Sequence, residues 1–367
     1  HSFDKTPDEI RVDMELMKHD VDAPTRWELF ELLEKTLPPE VKGRIKSVEQ
    51  RLGAASYYFV YQVEMTDGRK LALALLKDNA RSRSEAGFRK MLKLIDQLET
   101  DPEMKHMVPS LRELVDQAFK MAAVETDFET SKRQSELAEA MYRDREVVVG
   151  GKHFTFNPAR SLEIGPGYRL MEVAPGTHYN NLPNKSRAEK QQKKELGLAY
   201  HTLELGNLLS GKPFDEDRHG SQLKVEGNQS TLYDFGALKL ESPSSQELQA
   251  FGATLHRLKA VIDAKKKGAD LGSRLNEIFL EETRKFGKGG ELNTGYLVSV
   301  HKAWLALSDF RKGFTPKDYQ SIFDAVIQTG NVHPEIIAGY LSKMSPAEQE
   351  KFALPATDTA PRIRIVK

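Results

Sequence analysis

The sequence predicts an α+β chain with an N-terminal helical extension, a small antiparallel-sheet lobe and a larger, mostly helical lobe. Three observations predict it. Two aromatic or apolar runs of strand length, "SYYFVYQV" from Ser56 and "KLALALL" from Lys70, flank Thr66-Asp67-Gly68. Asp-Gly between two such runs is a hairpin signal. The chain before these runs, and most of it after Pro175-Gly176, carries apolar residues at helical spacing instead. The expected limits are residues 1–49 for the extension, 50–175 for the sheet lobe and 176–367 for the helical lobe with a C-terminal extension.

The elements follow in order. Trp27, Phe30 and Leu33 recur at helical spacing over 26–34, and Leu37-Pro38-Pro39 ends that helix, since proline lacks the amide a helix needs. The hairpin strands follow at 56–63 and 70–76, then helical patterns over 84–99 and from 110 to about 143. Residues 146–156 read as strands turning at Gly150-Gly151, and 168–173 as one more strand. Helices dominate from about 185 to 350.

Composition narrows the function classes. The 367 residues hold 54 basic and 54 acidic side chains, so no global field favours nucleic acid or an anionic membrane. Zero cysteines exclude disulfides, thiol catalysis and cysteine-ligated metal, and fit the cytoplasm or another reducing compartment. No apolar run approaches 18 residues, so no membrane-spanning helix is expected, and no signal-peptide pattern is visible. The histidines at 153, 178 and 201 make no metal-ligand pattern.

The chemistry concentrates in "DRHGSQLKVEGNQSTLYDFG", residues 217–236. Asp217 is followed five residues on by the side-chain oxygen of Gln222 and, after a short hairpin, by Asp234. Phosphoryl transfer uses that layout: the first carboxylate orients the nucleophile's proton, while the amide and the second carboxylate hold Mg²⁺ against the phosphates. Gln in place of Asn keeps the amide oxygen but adds a methylene, which shifts the metal geometry.

With these residues the chain resembles the UbiB-type atypical kinases, the family associated with ubiquinone biosynthesis. That family replaces the glycine-rich loop by "AAAS", and Gly53, Ala54, Ala55 and Ser56 read "GAAS" here. Its "ExD" helix is matched by Glu125, Asp127 and Phe128, and its "ME-x-x-PG" by Met171-Glu172 and Pro175-Gly176. Its "DPHPGN" and "DFG" are matched by "DRHGSQ" and Asp234-Phe235-Gly236. The matches run from about residue 37 to 240. The resemblance implies a two-lobed protein-kinase-like fold that binds ATP or ADP with Mg²⁺. It also implies nucleotide contacts from Gly53, Ala54, Ala55, Ser56 and Glu172, a catalytic Asp217, and metal ligation by Gln222 and Asp234.

The departures are as specific as the matches. The family's strand lysine aligns with Ala74, and the helix glutamate that pairs with it aligns with Ser131. Losing one partner would leave an unpaired buried charge, whereas losing both removes that penalty. Lys77 lies three residues from Ala74, and strand alternation turns it to the opposite face. The family's "KxGQ" signature is absent, and Asp215 stands where its "HAD" histidine would. Two function classes therefore stand: an atypical kinase-type phosphotransferase acting on a protein, lipid or small-molecule acceptor, and a pseudokinase scaffold working through a partner surface.

Overall fold

A computed structural model describes residues 24–54, 57–101, 105, 108–264, 271–288, 295–328, 331–352 and 363–366. Among them the strands are β1 Ile45–Ala54, β2 Tyr58–Met65, β3 Lys70–Leu76, β4 Arg145–Val149, β5 Lys152–Pro158 and β6 Ser161–Gly165. They continue with β7 Tyr168–Glu172, β8 Thr177–His178, β9 Leu223–Glu226, β10 Gln229–Leu232 and β11 Ile363–Val366. The chain divides into two compact units, one of residues 1–135 with 160–173, the other of 136–159 with 174–367.

The first unit is built on a five-stranded sheet in the order β1-β2-β3-β7-β6. The hairpin read from Asp67-Gly68 is present: β2 pairs antiparallel with β3, and Gly68 takes φ +84° in the turn. Strand alternation sorts the side chains. Phe59, Tyr61, Val63, Leu71, Leu73, Leu75, Tyr168 and Leu170 form one apolar face, packed with Leu32, Leu37 and Val41. The helix Arg26–Thr36 starts at a capping box between Thr25 and Glu28. It turns Leu29, Leu32 and Leu33 to this core. Trp27 and Phe30, part of the expected apolar stripe, are 68% and 55% exposed instead. The helical pattern after 110 is not one helix but two, Val108–Glu125 and Phe128–Tyr142. Asp127 makes the break, because its carboxylate accepts from the Thr130 amide at 2.8 Å, which starts a new helix.

The second unit holds a six-stranded sheet, β11-β4-β5-β10-β9-β8, and the remaining helices. The hairpin 145–158, which the sequence groups with the sheet lobe, belongs here. The reason is β10, which pairs parallel with β5 from Gln229↔Thr155 to Leu232↔Pro158. The helix Arg187–Leu209, capped by Ser186 and Glu189, buries Leu196, Leu198, Tyr200 and Leu203 in the main core. Tyr200 packs its ring 4.5 Å from Phe310 and 5.4 Å from Phe156. No helix among the described residues is long and apolar enough to cross a membrane.

Candidate functional site

In the second unit, two arms of chain carry the residues of the "DRHGSQ…DFG" stretch. Residues 214–216 run antiparallel to 237–239: the Glu216 amide donates to the Ala237 carbonyl at 3.2 Å and the Lys239 amide to the Phe214 carbonyl at 3.0 Å. At their crossing lies a buried ion pair. Arg218 Nη2 donates to Asp215 Oδ2 at 2.6 Å, with side-chain exposures of 1% and 0%. The other Asp215 oxygen accepts from the Asp217 amide at 2.9 Å. Arg218 Nη1 donates to the Tyr233 carbonyl at 2.7 Å, and its guanidinium lies 4.7 Å from the Phe235 ring centroid. One guanidinium thus joins the loop of Asp217 to the turn of Asp234.

Burial sets the charges here. Desolvation pushes the Asp215 carboxyl up while Arg218 opposes it, and the surrounding acceptors keep the guanidinium firmly protonated. Tyr142 stacks on Phe235 at 6.0 Å and donates its hydroxyl to Glu204 at 3.1 Å. Glu204 is itself pushed up by burial, with Arg218 acting against that shift.

The two carboxylates read as chemical groups are held outside this buried frame. Asp217 is 63% exposed, with His219 Nε2 at 3.9 Å. Asp234 is exposed and takes φ +60°, a left-handed backbone that costs a non-glycine residue energy and is common at functional turns. Gln222 is buried; its amide oxygen accepts from the His219 amide at 3.4 Å and its carbonyl from the Tyr233 amide at 3.1 Å. His219 braces the same loop by accepting from the Ser221 amide at 3.3 Å. A further tie was not legible in the sequence. Asp309 accepts from Gly220 N at 3.3 Å and from Asn180 Nδ2 at 2.9 Å. Gly220 is required, because an added Cβ would overlap the Asn180 side chain.

The donor set suits a hard cation. Among the described residues no three His, Cys, Asp or Glu side chains gather as a metal cluster. Mg²⁺ does not need one, since it binds through one or two carboxylates completed by phosphate oxygens and water. Asp234 and Asp217 offer exposed carboxylate oxygens, and Gln222 a buried amide oxygen that accepts from the His219 amide, so oxygen ligands of the kind that ion takes are present.

In the first unit, Gly53 and Ala54 end β1, while Ala55 and Ser56 lie outside the described residues. The sheet register brings Gly53 into one transverse row: Gly53 pairs with Val60, Val60 with Ala74, and Ala74 with Arg169. Directly paired residues share a face, so this row lies on the side away from the apolar core. A side chain at Gly53 would meet open space, which leaves its backbone approachable. Glu172 is not brought to that face. It pairs with Leu71 of the core face, and its carboxylate accepts from the Arg160 amide at 3.3 Å. Lys77 is likewise turned away, its ammonium 5.1 Å from the Phe59 ring, a member of the apolar face. Ser131 is buried, and its hydroxyl bonds to that of Tyr58.

No role is expected from the sequence for Asp215, Arg218 or Arg169. Their signals were present: a carboxylate and a guanidinium three apart beside Asp217, and an arginine inside the apolar strand "YRLME".

The family model described as the ABC1 atypical kinase-like domain matches residues 16–251. The chain belongs to that family, in agreement with the atypical-kinase motifs, and its α+β fold is kinase-like. Among solved structures, it is similar to Rv3197 of Mycobacterium tuberculosis, determined in complex with erythromycin. The identity is 14% over 83% of this chain and 84% of that one, with a TM-score of 0.47. It is also similar to the Rio2 kinase of Chaetomium thermophilum, determined as an ADP/Mg²⁺–phosphoaspartate complex. There the identity is 9% over 87% and 84%, with a TM-score of 0.33. No curated protein matches the sequence.

Proposed function

We propose that the protein is a Mg²⁺-dependent, nucleotide-binding atypical kinase-type phosphotransferase. The observation that carries this reading is the Asp215–Arg218 frame, which fixes the loop of Asp217 and the turn of Asp234 while leaving both carboxylates exposed. A scaffold has no need of two exposed carboxylates on rigidly braced, partly strained backbone. In this reading Asp217 accepts the proton of the acceptor hydroxyl as its oxygen bonds to the γ-phosphorus of ATP, the bond from that phosphorus to the bridging oxygen breaks, and ADP leaves. Gln222 and Asp234 hold Mg²⁺, which when bound neutralises charge on the phosphate oxygens. Gly53, Ala54, Ala55 and Ser56 cover the phosphates of ATP or ADP through backbone amides. Glu172, with its carboxylate on Arg160, contributes through its backbone. The acceptor is a protein, a lipid or a small molecule, and the absence of cysteine suits the cytoplasm or another reducing compartment.

A second reading, a pseudokinase scaffold, is favoured by one observation. Ser131, in the position of the family's helix glutamate, is buried and bonded to Tyr58, so it offers no carboxylate to a lysine at position 74. Intact-mass measurement after incubation with Mg²⁺ and ATP, beside nucleotide hydrolysis, separates the two. Phosphate transfer or hydrolysis that Asp234→Ala abolishes supports the enzyme; binding without turnover in the presence of candidate acceptors supports the scaffold.

A further inference from the structure

The strand β7 reads Tyr-Arg-Leu-Met-Glu, and its alternation sends Tyr168 and Leu170 into the apolar core. Arg169 therefore stands on the other face, the face of the row Gly53–Val60–Ala74–Arg169. Its direct cross-strand neighbour is Ala74, the position at which the family's lysine is lost. Neighbouring strands are about 4.8 Å apart, and an arginine side chain extends further than that. Ala74 and Ala72, the small residues of β3 on this face, are both buried, and Ala74 pairs directly with Arg169.

The surroundings of Arg169 match the missing ion pair. Tyr58 shares this face and donates its hydroxyl to the Glu125 carbonyl at 3.0 Å. Its hydroxyl feels the charges of Arg169, Glu125 and Asp127 together and bonds to Ser131. Tyr58 thus lies within the electrostatic reach of Arg169 and Glu125 and bonds to Ser131, on the face that holds Ala74.

We infer that Arg169 is the phosphate-binding cation of this chain, shifted by one strand from the lost lysine, and that it recognises the phosphates of a nucleoside di- or triphosphate. The inference rests on the nucleotide reading above. A guanidinium suits the role, because its planar fork can hold two phosphate oxygens at once.

Calorimetric titration of the full chain with ATP, ADP and adenosine, each with Mg²⁺, tests it. Arg169→Gln should weaken ATP and ADP roughly 10- to 100-fold, the loss of a charge-assisted hydrogen bond, and leave adenosine unchanged. Adding Ala74→Lys to Arg169→Gln should restore at least part of the affinity. Arg169→Lys, which keeps the charge but loses the fork, should fall between, and it carries the test if the glutamine variant does not fold. ATP affinity within twofold of wild type in Arg169→Gln overturns the inference, as does equal weakening of adenosine, which marks a structural role. If the wild type binds no nucleotide, the nucleotide reading itself falls and takes this inference with it.

Discussion

Asp215 and Arg218 form an ion pair, wholly buried and closed at 2.6 Å, that ties the segment carrying Asp217 to the turn carrying Asp234. Both residues occupy positions where the family motif has other chemistry, histidine in "HAD" and proline in "DPH". The two departures answer each other.

Removing one partner should be severe. Arg218→Met or Asp215→Asn leaves a buried group without its counter-charge, at about 3–5 kcal/mol. The double variant Asp215→Leu with Arg218→Met should regain much of that loss. Urea denaturation of the three variants measures it; a double variant no more stable than the singles would show that the pair is not the unit that matters.

Asp234 separates stability from function. Its φ of +60° suits glycine, so Asp234→Gly should match the wild type in stability or exceed it by up to ~1 kcal/mol. The same variant should lose Mg²⁺-dependent nucleotide binding. Thermal unfolding with and without Mg²⁺ and ADP reads both, and an unaltered nucleotide-induced shift would remove Asp234 from the metal site.

Lys77 should be dispensable for nucleotide. Burial and the nearby charges of Arg83 and Arg51 lower its pKa, and its ammonium sits over Phe59 on the core face. Lys77→Met is expected to leave ADP affinity within about twofold, less than the loss of a single neutral hydrogen bond. A tenfold loss would mean that the phosphate cation is Lys77 and not a group in the Ala74 row.

His201 should make stability depend on pH. Its ring is buried 5.2 Å from Trp304, and burial, with the Arg311 charge adding to it, holds its pKa well below 6.5. The unfolded chain takes up a proton below pH 6.5 where the folded one does not. The stabilising contribution is therefore fully present above 6.5 and is lost as pH falls, by up to ~1.4 kcal/mol per pH unit. His301, also lowered by burial, acts in the same direction. Urea midpoints at two pH values on either side of 6.5 should converge in His201→Leu relative to wild type; an equal acid loss in both would assign the effect elsewhere.

The sequence by itself determined the local elements and the motif order. Lys70–Leu76 is the strand expected, because alternation and the Asp-Gly turn are encoded within a few residues. The carboxylates at 217 and 234 stand out in the sequence because phosphoryl transfer uses such residue types at short spacings, and the structure holds both at exposed positions. The helix at Arg26–Thr36 was legible too, but not its buried face, since Trp27 and Phe30 are as apolar as Leu29 and Leu32. Tertiary structure decided which distant segments pair. It joined β10 to β5 in parallel, added β11 beside β4, and drew the hairpin 145–158 into the second unit. It also set Arg169 beside Ala74 and closed Arg218 over Phe235. Local patterns fix which backbone amides look for partners; the partner itself is chosen by burial summed over the whole core, and no single stretch of sequence contains that sum.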